Sequence, residues 1–417
     1  MSEIVGDNRR VALLVYDWST RLMGGSIRAF SFARSLPAHG WRVLVFTASP
    51  PEEWPEPMPG VEVCHVPSPE RRFGGGISAD ANDSRLGTNP GWLRRMSAVK
   101  RLLPLERQLS WYPSFWRTVP GRCVDVDAVL TIVAPNVMMP LGHALARKLG
   151  VPHVIDLRDD FADRHRVEPI TRSYQGVLNG YGGFFTRRAA AVSVVSPVTV
   201  DRFRAEGTEA TLIMNGYVED HFSIVPWEAA PAQSNGPLRL VHLGWLGDFR
   251  SIAPLVRAVA LLSPAAQAEV SVEQYGLIDP GQEDILNACA CTTRVRPQIP
   301  HAEAVAVMHD ADVLLVIPGD SLPAAMTGKL FEYLRARRHI LLIAGDGAAG
   351  ILARSAGIES IVHPDDAAGL AGTLEGLLAR KRAGSLMATS EPDIVRTFDR
   401  RQGARQLADL LNKAVLQ

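Results

Sequence analysis

Short apolar, β-branched runs alternate with helical stretches along most of this 417-residue chain, and the series runs twice. "RVALLVY" (10–16), "WRVLVFT" (41–47), "DAVLTIV" (127–133), "HVIDL" (153–157), "AVSVVS" (191–196) and "TLIMNG" (211–216) form the first series. "LRLVHLG" (238–244), "EVSVEQYG" (269–276), "DVLLVIPG" (312–319), "HILLIAGDG" (339–347) and "IESIVHP" (358–364) form the second. Runs with so little polar alternation suit strands covered on both faces, the condition of a parallel sheet. Between them lie stretches such as "SIRAFSFARSLPAHG" (26–40), with Ile27, Phe30, Phe32, Ala33 and Leu36 at roughly helical spacing and a glycine at the end. Strand, helix, strand in this order predicts a doubly wound α/β sheet, here built twice.

The break between the series is "PWEAAPAQSNGP" (226–237), rich in Pro, Ala and Gly and without periodicity. It reads as a linker. The expected organisation is an N-terminal Rossmann-like domain over 1–225, a linker over 226–236, a C-terminal Rossmann-like domain over 237–397, and a final helix over 398–417. Two such domains in series face a central cleft with the C-terminal ends of their strands, where ligands bind. The final helix carries Leu407, Leu410, Leu411 and Val415 on one face, and that face needs a partner.

Composition narrows the partners. Lys+Arg and Asp+Glu stand at 44 each, so no overall basic field calls for nucleic acid. Four cysteines (Cys64, Cys123, Cys289, Cys291) are scattered without a Cys-x-x-Cys pair, which fits reduced thiols and implies no zinc site. No stretch approaches the roughly 18 apolar residues of a spanning helix. The apolar run near the N-terminus, about six residues, is short for a secretory signal. A soluble, cytoplasmic protein is expected. "WLRRMSAVKRLL" (92–103) has Trp92, Met96, Val99 and Leu103 on one face and four basic residues elsewhere. Such a helix can lie peripherally on an anionic membrane, and the same pattern fits a solvated helix packed on its own domain.

Several motifs carry chemistry. In "DWSTRLMGGSIR", Gly24 and Gly25 lead into a helix whose first amides attract phosphate or carboxylate; the same glycines suit a flexible turn. "DVDAV" (125–129) contains Asp-x-Asp, but it precedes its strand and so reads as a surface turn. "HVIDLRDDF" (153–161) places Asp156, Arg158, Asp159 and Asp160 at a strand end facing the cleft, where clustered charge is either paired structurally or directed at a ligand. In "TGKLFEYLRARRHILLIAGDG" (327–347), Thr327, Gly328 and Lys329 open a helix and Glu332 follows one turn on. A lysine beside the positive end of a helix is unfavourable unless an anion sits between them. A carboxylate on the same face can accept hydrogen bonds from a diol. Phosphate and ribose of a nucleotide diphosphate fit that pair, and an ordinary surface Lys–Glu pair fits it too.

The last segment resembles the Gly-Lys-hydrophobic-Phe-Glu-Tyr-Leu motif of family 4 retaining glycosyltransferases with the GT-B fold. "GGSIRAFSFARSLPAHGWRVLVFT" is similar to that family's glycine-loop opening. "VPHVIDLRDDF" is similar to its Asp-x-Arg-Asp segment, "IMNGYVEDHF" to its Asn-Gly stretch, and "HAEAVAVMHDADVLLVI" to the helix and strand before the donor motif. These pieces occur in the family's order over nearly the whole chain. The resemblance implies a transferase that moves a sugar from a nucleotide-diphosphate sugar to an acceptor hydroxyl with retention, in glycan or glycoconjugate synthesis. It implies no metal and no cofactor beyond the nucleotide-sugar co-substrate. Glu332 would take the ribose hydroxyls, and Lys329 with Arg250 the diphosphate, helped by Thr327, Gly328 and Gly244. Val295 to Ile299 would flank the base. Gly24 and Gly25 would approach phosphate or acceptor, and Arg158 and Asp159 the transferred sugar. The departing phosphate would receive the acceptor's proton, so no dedicated base is needed. The final helix would cross back to the N-terminal domain. The chain departs from the family at Ala324, where many relatives have a glutamate, and near Arg158, where many have a histidine. The acceptor, whether saccharide, lipid-linked or small molecule, is not specified. A nucleotide-sugar epimerase or a non-catalytic nucleotide-sugar-binding scaffold of the same fold are the rival readings. On this view Lys329 and Glu332 serve a ligand, and replacing either leaves folding nearly unaffected.

Overall fold

The computed structural model describes residues 9–19, 25–73, 106–158, 161, 172–229, 231–232, 235–247, 249–319, 324 and 326–417. By contacts the chain divides into two compact units, residues 1–214 with 400–417, and residues 215–399. The chain therefore passes between units twice, at 214–215 and at 399–400. Residues 226–236, expected as a linker, are assigned to the second unit. There Trp227 stacks against the guanidinium groups of Arg335 and Arg396, and Ala232 N–H donates to Leu386 O at 2.7 Å.

The first unit holds a seven-stranded sheet: β1 (Arg9–Leu14), β2 (Trp41–Thr47), β3 (Val61–His65), β4 (Ala128–Val133), β5 (His153–Leu157), β6 (Ala191–Val194) and β7 (Thr211–Leu212). Its order is β3-β2-β1-β4-β5-β6-β7, and the pairs are parallel, with Leu13 opposite both Val45 and Leu130. Val11, Leu13, Val45 and Leu130 pack on one face, while Ala12, Leu14, Phe46 and Val129 pack on the other. Both faces are covered, which is why these strands read as unbroken apolar runs. The helix Gly25–Ser35 continues as a single turn, Leu36–His39, because Pro37 cannot extend it; Gly40 closes the turn at φ 83°.

The second unit holds a six-stranded parallel sheet: β8 (Leu238–Leu243), β9 (Val270–Tyr275), β10 (Thr292–Arg296), β11 (Val313–Val316), β12 (His339–Ile343) and β13 (Ser360–Val362), in the order β10-β9-β8-β11-β12-β13. Strand order reverses between β1 and β4 in one unit and between β8 and β11 in the other. Doubly wound sheets bind ligands just beyond the strand ends at such reversals. The pattern of apolar runs does not contain β3 or β10. Both are edge strands whose residues alternate in exposure. β7 is shorter than the expected 211–216, because the carbonyls of Ile213 and Met214 accept from Arg28.

The C-terminal helix, Arg400–Val415, belongs to the first unit and packs on Gly25–Ser35. Leu407 and Leu411 are fully buried in that unit's core. Asn412 Oδ1 accepts from Trp41 Nε1 and from Arg9 Nη1, each at 3.0 Å. No helix among the described residues is long and apolar enough to cross a membrane. The 92–103 segment lies outside the described residues.

Candidate functional site

In the second unit, the helix Gly328–Ala336 follows β11 and sorts its residues by periodicity. Leu330, Phe331, Tyr333 and Leu334 are buried in the core, which leaves Lys329 and Glu332 together on another face. Tyr333 ties the helix to the neighbouring strand, its hydroxyl oxygen accepting from Leu243 N–H at the end of β8, 2.8 Å away. Thr327 is the N-cap residue and makes no side-chain cap to the first turn.

Glu332 is the centre of an ion-pair group. Lys329 Nζ donates to Oε2 at 2.8 Å, and His301 Nε2 donates to Oε1 at 3.0 Å. Its side chain is 16% exposed. Burial alone would raise its pKa, but the Lys329 ammonium and the His301 imidazole outweigh burial and hold it at about 2. His301, the first residue of the helix His301–Asp310, packs against His221, with ring centroids 4.6 Å apart and the rings tilted by 59°. His221 sits in the turn Glu219–Phe222, and Arg335 grips that turn with a bidentate pair to Glu219, at 2.7 and 2.8 Å. One helix thus supplies both Glu332 and the arginine that secures the turn carrying His221.

The other side of the site is the end of β8. His242 is buried, and its Nδ1 meets Gln274 Oε1. The Gln274 amide donates to Gly244 O at 2.7 Å and to Leu277 O at 3.3 Å, so its oxygen must face His242. That fixes the tautomer: Nδ1–H donates, and Nε2 carries a lone pair. Burial lowers the His242 pKa to about 4, opposed by the Gln274 bond and assisted by the charges of Arg250 and Lys329. Arg250 donates from Nε to Pro318 O at 3.4 Å and lies over the rings of Phe249 and Trp245; burial lowers its pKa. Gly319, at φ 91°, lets the end of β11 pass against the Phe249 backbone, where a Cβ would clash. Gly244 leaves β8 at φ 151°, and a Cβ there would lie 3.6 Å from the His242 ring.

Of the expected donor-site residues, Lys329, Glu332, Thr327 and Gly328 therefore share one helix start, with Arg250 and Gly244 at the adjoining ends of β8 and β11. Val295 lies in edge strand β10, opposite Gln274, and packs against the core; Ile299 follows that strand. Ala324 is buried. His301, His221, His242 and Gln274 were not singled out by sequence. Their signal was weak: single polar residues at strand and helix ends with no motif spacing.

In the first unit, Asp156 is fully buried and structural. Arg28 Nε and Nη2 donate to its two oxygens at 2.8 and 2.7 Å, and Ser193 Oγ donates at 2.7 Å. Arg158 follows β5, and its charge acts on Asp17 beyond the end of β1. Burial raises the Asp17 pKa, and its partner Arg71, which also pairs with Glu53 at 3.0 Å, opposes that shift. Gly25 is the first residue of its helix. Gly24, Asp159 and Asp160 lie outside the described residues. In the Asp-x-Asp turn, Asp127 Oδ2 accepts from Arg10 N–H at 2.7 Å, and Asp125 adopts φ 56°, so that turn ties the start of β4 to β1.

Residues 24–216 match the sequence family described as "Glycosyl transferase 4-like domain". No curated protein matches the chain. The structure is similar to sucrose-phosphate synthase from Thermosynechococcus elongatus (TM-score 0.67, 15% identity, 97% of this chain and 98% of that one). It is also similar to Anabaena HepE solved with UDP and glucose (TM-score 0.60, 14% identity, 97% and 99%). A third is WaaG, a glycosyltransferase involved in lipopolysaccharide biosynthesis (TM-score 0.60, 14% identity, 96% and 99%). The fold is that of the GT-B glycosyltransferases.

Proposed function

We propose that the chain transfers a glycosyl group from a nucleotide-diphosphate sugar to an acceptor hydroxyl, with retention and without a metal. The observation that carries this reading is the grouping of Lys329, Arg250, Glu332 and a helix start where strand order reverses in the second sheet. A departing diphosphate develops negative charge, and two cations with first-turn amides answer that charge. Glu332, a carboxylate even in acid, accepts from paired hydroxyls such as those of a ribose. Val295 and Ile299 flank the base, Gly244 approaches the phosphates, and Gly24, Gly25, Arg158 and Asp159 serve the transferred sugar and the acceptor. Nucleotide sugars occur among the similar structures, as in the UDP-glucose complex of Anabaena HepE.

The test is a panel of nucleotide sugars offered to purified protein, with and without acceptors, in EDTA and in Mg²⁺ or Mn²⁺. Donor consumption only with an acceptor, α-donor to α-product, unaffected by EDTA, supports the reading. Donor isomerisation without an acceptor replaces it with an epimerase. Binding with no turnover under any acceptor replaces it with a scaffold. Activity lost in EDTA and restored by metal overturns the assignment of diphosphate neutralisation to Lys329 and Arg250.

A further inference from the structure

The turn entering edge strand β10 carries Cys289-Ala290-Cys291. The two thiols touch, Sγ to Sγ at 3.4 Å, and both cysteines are free and half-buried. They pack, like Ile285 and Val295, against the second unit's core, at the sheet's outer edge, with side chains still open to solvent in part. At 3.4 Å one S–H points at the other sulfur. The hydrogen bond from Cys291 holds the Cys289 thiol down to about 7, and the same bond with burial pushes Cys291 up. The backbone N–H groups of Ala290 and Cys291 also favour a thiolate on Cys289, which makes it the thiol to attack, with a second thiol already against it. Cys64 and Cys123 lie deeper. They are 6% and 5% exposed, and burial pushes both thiols up.

We propose that Cys289 and Cys291 form a thiol-exchange site for low-molecular-weight disulfides, closing to an intramolecular Cys289–Cys291 disulfide. The Cys289 thiolate attacks one sulfur of the small disulfide. That S–S bond breaks, one small thiolate leaves and takes a proton from water, and Cys289 carries a mixed disulfide. Cys291 then gives up its proton, attacks the Cys289 sulfur and expels the second small thiolate. Two protein thiols are oxidised and one small disulfide is reduced to two thiols. Closure brings the sulfurs from 3.4 Å to bonding distance, about 2.05 Å, by side-chain rotation in the half-buried turn.

The experiment treats full-length, reduced protein at neutral pH with oxidised glutathione. It then quenches in acid, alkylates under denaturing conditions and maps the cysteines by mass spectrometry. The expected product lacks two hydrogens, with 289 and 291 unalkylated and joined, and with Cys64 and Cys123 alkylated. Dithiothreitol restores four alkylated cysteines. Cys291→Ser stops at a glutathione mixed disulfide on Cys289, and Cys289→Ser reacts at Cys291 at least roughly tenfold more slowly. Both variants keep the wild-type Tm, since serine fits these half-buried positions. Separate glutathione adducts on both cysteines of the wild type, equal rates in the two serine variants, or first reaction at Cys64 or Cys123 would overturn the proposal.

Discussion

Replacing Glu332 by glutamine keeps the shape of the side chain and removes its charge. The structure gives the size of the effect. The carboxyl is held at about 2 against an ordinary value of 4.5, and that depression corresponds to about 3 kcal/mol of folding stability at neutral pH. Because the folded value is depressed, the contribution is complete above about pH 4.5 and is lost as pH falls through the folded value near 2. Near pH 3 about 1.5 kcal/mol remains. In a unit of this size, 3 kcal/mol moves the melting transition by roughly 6–12 °C. The assay is thermal unfolding of wild type and Glu332→Gln from pH 7 to pH 3. The gap between them should be widest at neutral pH and narrow steadily in acid. A gap that ignores pH, or no gap at pH 7, refutes the ion-pair account. The sequence alone treats Glu332 as a ligand-directed residue whose removal spares folding. The bonds from Lys329 and His301 give it a structural share as well.

Lys329→Met should weaken binding of a nucleoside diphosphate by about 1.5–3 kcal/mol, roughly 10- to 150-fold by calorimetry, as expected for a lost charge-assisted hydrogen bond. Arg28→Met leaves Asp156 buried without its bidentate partner, and should cost about 3–5 kcal/mol in denaturant unfolding of the first unit. Deleting 400–417 strips Leu407 and Leu411 from the first unit's core, with the Asn412 bonds to Trp41 and Arg9, and should make the protein insoluble, while a 215–399 fragment stays folded and binds nucleotide. A soluble deletion variant with normal melting would show that the helix is dispensable.

What could be read from sequence follows from what each residue contacts. Interior strands such as β4, with every residue buried, announce themselves as apolar runs. β3 and β10 each lack a neighbour on one side, so "VEVCH" and "TTRVR" alternate and resemble loops. The Pro/Ala-rich stretch after 226 has the composition of a linker, yet Trp227 is held between two arginines, a contact made across more than a hundred residues that no local pattern records. Lys329 and Glu332 were legible because one helical turn sets their spacing. His301 reaches Glu332 from a different helix, and His242 depends on a neighbouring strand, so neither could be placed before the sheet was built. In sequence, Asp156 favours a ligand-facing role over a structural pair; Arg28, 128 positions away, decides for the pair.

The amide of Gln274 determines what kind of atom His242 presents. Two carbonyls claim its nitrogen, so its oxygen takes the imidazole proton, and the far nitrogen is left as a bare acceptor near Arg250 and Lys329. The neighbourhood is therefore not a uniform well of positive charge. It contains one point that repels an oxyanion and welcomes a hydroxyl, and that grain would distinguish a sugar-bearing ligand from free phosphate. Exchanging the Gln274 nitrogen for an oxygen, as glutamate does, would draw a second proton onto the ring and reverse that preference. The chemical character of this point is thus set by an amide on the next strand rather than by the histidine itself.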